Sequence, residues 1–122
     1  MSTTHRNGSV AVSGGAIPVY VALPESGQGP GIVLFQEIFG LNAHIRERAD
    51  QLAELGYVVL APDAFWRLGT DQAIEEDEPD ALSRGMGLVQ RLDIGQTVAD
   101  GVEVLDHLRG MHEVRGGVAV FG

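Results

Sequence analysis

A carboxylate lies two residues after an apolar stretch that has the composition of a buried strand. The run from Gly31 to Phe35 continues into Gln36 and Glu37, and an Ile-Phe-Gly segment then leads to Asn42. A carboxylate held partly away from water at such a position can do general acid–base work. It can equally cap the helix that follows or pair with an arginine. The surrounding elements decide where this acid lies.

The flanking residues predict a strand–helix–strand unit. Ile32–Phe35 is a continuous apolar run, typical of a strand that is covered on both faces. Ala43–Leu55 carries apolar residues at helical spacing, with Asn42 as a candidate N-cap and Gly56 as the stop. Tyr57–Ala61 is a second buried strand. Two parallel strands joined by a right-handed crossover are therefore expected.

The rest of the chain extends this unit into a larger sheet. The other predicted elements are strands at Ser9–Val12, Ala16–Ala22 and Gly116–Phe121, helices at Ala81–Arg91 and from Ile94 to near Gly110, a turn-rich connection at Pro24–Gly31, and a loop at Phe65–Asp80. The first two strands suit a hairpin around a Gly-Gly turn. The prediction is an α/β fold with an antiparallel start and a parallel later part. Ligands in such sheets lie beyond the carboxyl ends of the parallel strands, which Glu37, Asp63 and Gly122 follow.

Composition excludes several classes of function. The 122 residues carry 17 acidic and 8 basic side chains, a net charge of −9, which argues against binding to nucleic acid or anionic membranes. The chain contains no cysteine, and hence no disulfide or thiolate metal site. No apolar run of membrane-spanning length and no apolar signal core are present, so a soluble, cytoplasmic protein of one domain or less is expected. The acidic run of residues 75–78 is interpreted as a solvated surface.

Three motifs resemble the dienelactone hydrolase family, which has the α/β-hydrolase fold. They are QEIFGLN, the His-Ile-Arg that follows it, and GYVVLAPDAF. The family's nucleophile elbow, G-x-C-x-G, follows the fifth strand, whereas this sequence reads GVAVFG and stops at Gly122. No G-x-S-x-G occurs upstream to replace it. The resemblance thus implies that residues 1–122 are the amino-terminal portion of a single α/β-hydrolase domain, truncated before the elbow.

The resemblance also implies roles for two adjacent residues. Glu37 would activate the nucleophilic thiol when substrate arrives, since a thiol needs a base or a lowered pKa. Ile38 would supply a backbone N–H to the oxyanion hole, where each donor is worth roughly 3 kcal/mol in the transition state. The side chain of Ile38 can still be an ordinary core isoleucine, because the two roles use different atoms.

Four further residues are candidates for substrate binding or support. Phe39 would form part of the pocket wall, and Arg84 would hold a substrate carboxylate. Arg46 would orient the Glu37 loop through a charge-assisted bond, with Asn42 supporting it as the helix cap. The alternatives are a core role for Phe39 and a surface ion pair of Arg46 with Glu47 or Asp50.

Other polar and aromatic residues are assigned structural roles. Asp63 is interpreted as a turn or helix cap rather than a catalyst. Aromatic packing is the expected role of Phe65 and Trp66, with a pocket wall as the alternative. The four histidines show no metal-binding spacing, and the resemblance implies no metal or organic cofactor.

Two functions from different classes remain. The first is a hydrolase that cleaves a lactone or small ester through an acyl-enzyme and takes a small-molecule substrate, with its nucleophile, Cys or Ser, in the remainder of its own domain. The second is an inert half-domain that binds a partner or ligand. An exposed apolar fifth strand predicts that residues 1–122 alone aggregate or need that remainder. A flavodoxin-type domain is disfavoured by the opening hairpin and the missing phosphate loop.

Overall fold

The computed structural model of the chain describes residues 2–36, 39–69 and 73–122. Its strands are β1 (Thr4–Val12), β2 (Gly15–Leu23), β3 (Gly29–Leu34), β4 (Val58–Pro62) and β5 (Val114–Phe121). Its helices are α1 (Ala43–Glu54), α2 (Ala81–Gln90) and α3 (Ile94–Gly110), with a 3₁₀ turn at Trp66–Leu68. Within the described ranges the strands form one sheet in the order β1-β2-β4-β3-β5.

The sheet has the antiparallel start and parallel continuation that the sequence predicts. The β1–β2 and β2–β4 pairs are antiparallel, and the β4–β3 and β3–β5 pairs are parallel. The hairpin turn consists of Ser13 and Gly14, because Gly15 already pairs with Val12. Gly14 has φ of 89°, which suits glycine at a tight turn. The fold is thus a mixed α/β sheet with helices on both faces.

Three strands begin two or more residues earlier than the apolar pattern predicts. The strand β1 starts at Thr4, β3 at Gly29 and β5 at Val114. The beginning of β3 therefore lies in the connection that was predicted to be turn-rich. Gly29 is held there because its N–H donates to the Glu113 carbonyl at 3.1 Å. Strand ends depend on backbone partners elsewhere in the sheet, which side-chain patterns do not report.

The helices cover both faces of the sheet. The face toward α1 buries Ile32 and Leu34 of β3 together with Ile45 and Ala49 of the helix. Val33, between them in sequence, packs on the opposite face with Val104 and Leu108 of α3. From β3 to β4 the chain moves one way along the sheet, and from β4 to β5 it moves back. Right-handed crossovers in opposite directions place their helices on opposite faces.

A third apolar cluster joins α2 to the segments that follow β3 and β4. Its buried members are Phe65, Ile74, Ala81 and Leu88, and Phe39 packs against them. Phe65 is 1% exposed, so the prediction of aromatic packing is confirmed for it. This cluster lies next to the carboxyl ends of the parallel strands and supports the loops there.

Gly29→Ala is expected to lower the free energy of unfolding by about 2 kcal/mol. A Cβ at Gly29 would lie 2.1 Å from the carbonyl oxygen of Gly56, a backbone atom that cannot rotate away. The matched control is Gly87→Ala in α2, where a Cβ meets no atom within 4 Å. The control is expected to stabilise by about 0.5–1 kcal/mol because alanine favours the helix. Urea unfolding of both variants measures the difference, and equal stabilities would contradict the assignment of the clash.

Candidate active site

The carboxyl ends of the parallel strands meet at one edge of the sheet, as predicted. Just beyond the end of β3, the N–H of Phe35 donates to the carbonyl of Phe121, the last residue of β5, at 2.8 Å. Beyond β4, the N–H of Asp63 donates to the carbonyl of Pro18 at 2.9 Å. The residues after β3 are therefore next to the end of β5, and the residue after β4 is bonded to β2.

Gln36 fastens the loop after β3 to the turn after β4. Its side-chain Oε1 accepts a hydrogen bond from the backbone N–H of Ala64 at 2.9 Å. Glu37 and Ile38, the predicted thiol activator and oxyanion-hole donor, lie outside the described residues. Their roles remain predictions.

Phe39 and Gly40 follow these two residues. The Phe39 carbonyl accepts a hydrogen bond from the N–H of Ile74 at 2.7 Å, and its side chain packs on the α2 cluster. Gly40 has φ of 80°, a conformation that favours glycine, and its carbonyl accepts from the N–H of Asn42 at 2.9 Å. Phe39 has the packing role that was left open as the alternative, and a pocket-wall role stays a prediction.

Asn42 is the N-cap of α1, which confirms that prediction. Its Oδ1 accepts from the N–H of Ile45 at 3.1 Å. Its Nδ2 also donates to the carbonyl of Ile74 at 3.0 Å, and the side chain is buried. Asn42 thus joins the helix start to the segment before α2, a second function that the capping pattern alone does not predict.

Arg46 lies on the exposed side of α1 above an aromatic ring. Its guanidinium carbon is 5.8 Å from the centre of the Tyr20 ring. The hydroxyl of Tyr20 donates to Asp50 at 2.8 Å. Burial, together with the hydrogen bond and charge of Asp50, raises the pKa of Tyr20 to about 12, although the Arg46 charge acts in the opposite direction. The predicted role of Arg46 in orienting the Glu37 loop stays a prediction.

Arg84 and Asp63 have identifiable partners. Arg84 is on α2, and its Nη1 lies 2.5 Å from an oxygen of Glu78, with more than half of the arginine side chain exposed. A role of Arg84 in binding a substrate carboxylate stays a prediction. Asp63 Oδ1 accepts from the N–H of Phe65 at 3.0 Å. That bond is the turn cap predicted for Asp63.

One acid of the predicted surface run has a partner at the start of α1. Glu75 is only partly exposed, and its Oε2 accepts from the N–H of Ala43 at 3.3 Å. Glu75 therefore contacts the start of α1 from its partly exposed position in the acidic run. An anion is favoured there because the first turn of a helix leaves N–H groups unpaired.

A buried ion pair near this edge was missed by the sequence analysis. Asp100 of α3 is 4% exposed and accepts hydrogen bonds from Arg67, Trp66 and Gln96 at 2.9 to 3.2 Å. The Arg67 hydrogen bond is the main cause that holds the pKa of Asp100 below its usual value. Arg67 also donates to the carbonyl of Ser13 in the hairpin turn. The spacing could have indicated its burial, because Asp100 precedes the buried residues Val104 and Leu108 by four and eight positions and so lies on the same face of α3.

Two grooves flank the end of β5. One, of about 320 Å³, is almost wholly apolar and lies between β5 and α3. It is lined by Phe35, Val98, Gly101, Val102, Leu105 and Val120. The other, of about 160 Å³, lies on the α1 side and is bordered by His44, Arg48 and Phe121. Phe35 lines both, so both reach the edge where the strands end.

Among the described residues, no group of histidine and acidic side chains is arranged to hold a metal ion. The helices in the same part of the chain are all too short or too polar to cross a membrane.

Residues 17–122 match the model of the dienelactone hydrolase family. The chain belongs to the dienelactone hydrolase family. It is 32% identical over 112 residues to a carboxymethylenebutenolidase of Pseudomonas sp. (strain P51), covering 92% of this chain and 47% of the relative. It is 36% identical over 113 residues to a putative carboxymethylenebutenolidase of Salmonella typhi, covering 91% of this chain and 39% of that one.

Solved structures of dienelactone hydrolases show the same fold. A putative dienelactone hydrolase from Klebsiella pneumoniae superposes with a TM-score of 0.75 at 28% identity, over 99% of this chain and 50% of that one. A dienelactone hydrolase-like promiscuous phosphotriesterase from metagenomic libraries gives a TM-score of 0.73 at 30% identity, over 98% and 48% of the two chains. The chain spans between 39% and 50% of the length of these four relatives.

Proposed function

We propose that this chain is the amino-terminal part of a hydrolase that opens a lactone or cleaves a small carboxylic ester through an acyl-enzyme. The activity resembles that of a carboxymethylenebutenolidase. The nucleophile and its triad partners would lie beyond Gly122. Membership of the family supports a hydrolase, and the matches to half or less of each named relative's length support a remainder that completes the site.

The hydrogen bond between Phe35 and Phe121 carries this proposal. It holds the end of β5 against the residues that lead to Glu37. A nucleophile placed just after β5, as in the family's elbow, would therefore emerge beside the loop that carries Glu37 and Ile38. A base can accept the proton of a nucleophile only if the two groups lie within hydrogen-bonding distance, whatever the pKa of the base.

The proposed reaction proceeds in two steps. Glu37 takes up the proton of the nucleophile, which attacks the ester carbonyl carbon. As the carbon–oxygen bond breaks, the departing alkoxide receives that proton and leaves as the alcohol. The N–H of Ile38 donates to the oxyanion that forms on the carbonyl oxygen. Water then attacks the acyl-enzyme and releases the acid, which regenerates the nucleophile. Phe39 and Arg84 would contact the substrate, and Arg46 and Asn42 would support the loop.

A second candidate function is a catalytically inert half-domain that binds a partner. The observation in its favour is the exposed fifth strand. Val120 and Phe121 are 52% and 48% exposed, and within the described residues β5 pairs only with β3. Three valine and isoleucine side chains of α3 beside it, Ile94, Val98 and Val102, are also more than half exposed. An intact hydrolase would bury this surface beneath the rest of its domain.

Ester hydrolysis by the full-length polypeptide distinguishes these functions. We expect turnover of an enol-lactone or of p-nitrophenyl acetate, with the intact mass of the assayed protein recorded against 13.0 kDa. Residues 1–122 produced alone serve as the comparison and are expected to be inactive. Failure of the full-length protein on both substrates would overturn the hydrolase proposal. Turnover by residues 1–122 alone would show that the nucleophile had been misplaced.

A further inference from the structure

The loop between β3 and α1 is anchored on both sides of Glu37 and Ile38. Before them, Gln36 Oε1 accepts the hydrogen bond of the Ala64 N–H at 2.9 Å. After them, the Phe39 carbonyl accepts from the N–H of Ile74 at 2.7 Å. The anchors belong to two separate segments, the turn after β4 and the segment before α2. The first is a side-chain contact, so a substitution can remove it without altering the backbone.

The turn that holds Gln36 is itself firmly fixed. Asp63 bonds to the Phe65 N–H through its side chain and to the Pro18 carbonyl through its N–H. Phe65 is buried in the α2 cluster. The next residues, Trp66 and Arg67, donate to the buried carboxylate of Asp100 on α3. A rigid donor such as the Ala64 N–H can therefore define the position of the side chain that it contacts.

We propose that Gln36 is a positioning residue, whose side-chain bond to Ala64 fixes the backbone immediately before Glu37 and so contributes to the activity proposed for that residue. This inference rests on the proposed function of Glu37. In this proposal Gln36 contributes no group to the chemical step itself. It acts by restricting the backbone of the loop at the residue before Glu37. A displacement of about 1 Å in a catalytic group can lower the reaction rate by up to about 100-fold. Loss of this restraint is therefore expected to lower the rate of the chemical step.

The test is Gln36→Met in the full-length protein, which keeps the side-chain length and removes the acceptor oxygen. We expect kcat on p-nitrophenyl acetate to fall about tenfold with KM changed by less than about twofold, as for an effect on the transition state. Gln51→Met, an exposed position on α1, is the matched control and is expected to leave both constants unchanged. Gln36→Glu retains an acceptor for the Ala64 N–H and is expected to keep kcat within about threefold of the parent at alkaline pH.

A double-mutant cycle with Glu37→Gln distinguishes positioning from a separate structural effect. If Gln36 acts through Glu37, then Gln36→Met has less than about a twofold effect on kcat once Glu37 is already glutamine. An equal effect in both backgrounds, or an unchanged kcat in the single variant, would overturn the inference. Should Gln36→Met fail to fold, a loss of activity in Gln36→Glu as large as that of Glu37→Gln would overturn it. If Glu37→Gln by itself leaves kcat unchanged, the result contradicts the proposed function of Glu37, on which the role of Gln36 depends.

Discussion

Glu37→Gln in the full-length protein is expected to lower kcat/KM for p-nitrophenyl acetate at least about 100-fold. The substitution keeps the size and shape of the side chain but removes its capacity to accept a proton. In the proposed reaction Glu37 accepts the proton of the nucleophile, so the glutamine variant leaves more of the nucleophile protonated and attack on the ester is slower. Steady-state kinetics on the acetate and on an enol-lactone measure the effect, and circular dichroism shows whether the fold is retained.

The matched control for this experiment is Glu54→Gln. Glu54 is an exposed residue at the end of α1, roughly 17 Å along the helix from its beginning. The control removes one negative charge from the same protein and is expected to leave kcat/KM unchanged. Equal activities of the two variants would show that Glu37 does no chemistry. Its role would then be the cap or ion pair that the residues alone allow.

Asp100→Ala is expected to lower the free energy of unfolding by about 3 kcal/mol. The variant leaves the side-chain donors of Arg67, Trp66 and Gln96 without their shared acceptor. The expected loss of stability is at the lower end of the range for buried ion pairs, because the Arg67 side chain is 31% exposed and can form hydrogen bonds with water instead. Urea unfolding of the full-length protein at pH 7 provides the measurement.

Asp106→Ala is the control on the same helix. Asp106 is exposed and pairs with Arg109 at 3.3 Å, so its loss is expected to change stability by less than about 0.5 kcal/mol. If the two variants were equally stable, the buried network would contribute nothing to the fold.

The stabilisation by Asp100 has a predictable pH dependence. Its pKa is lowered in the folded protein, chiefly by the hydrogen bond of Arg67. The stabilisation is therefore fully present above the unfolded value of 3.8 and is lost as the pH falls through the folded value. The difference in stability between the parent and Asp100→Ala should be constant from pH 5 to 7 and shrink below about pH 4. A difference that grew on acidification would contradict this sign.

Local patterns were sufficient to predict the elements that build the site. The Asn42 cap, the apolar core of β3 and the helical spacing of α1 involve residues within a few positions of one another. Short-range geometry determines such features, so the sequence displays them directly. The carboxyl-end position of Asp63 and the family motifs were predicted from the same kind of information.

Contacts between distant segments were not predictable in this way. Ala64 and Gln36 are 28 residues apart, and Arg67 and Asp100 are 33 apart, yet each pair is joined by hydrogen bonds. No local pattern pairs one glutamine or aspartate with a particular partner when many polar residues are available. The position of β4 between β2 and β3 also depends on which strands pair with one another when the whole sheet assembles.

The sequence by itself determined the element types and the family resemblance, because periodicity, capping and motif spacing are local properties. Only the tertiary structure decided that Gln36 is tied to the turn after β4 and that Asp100 is the acceptor at the centre of a buried network. The physical reason is burial. A polar group removed from water must find a partner, and packing of the complete sheet determines which one lies within reach.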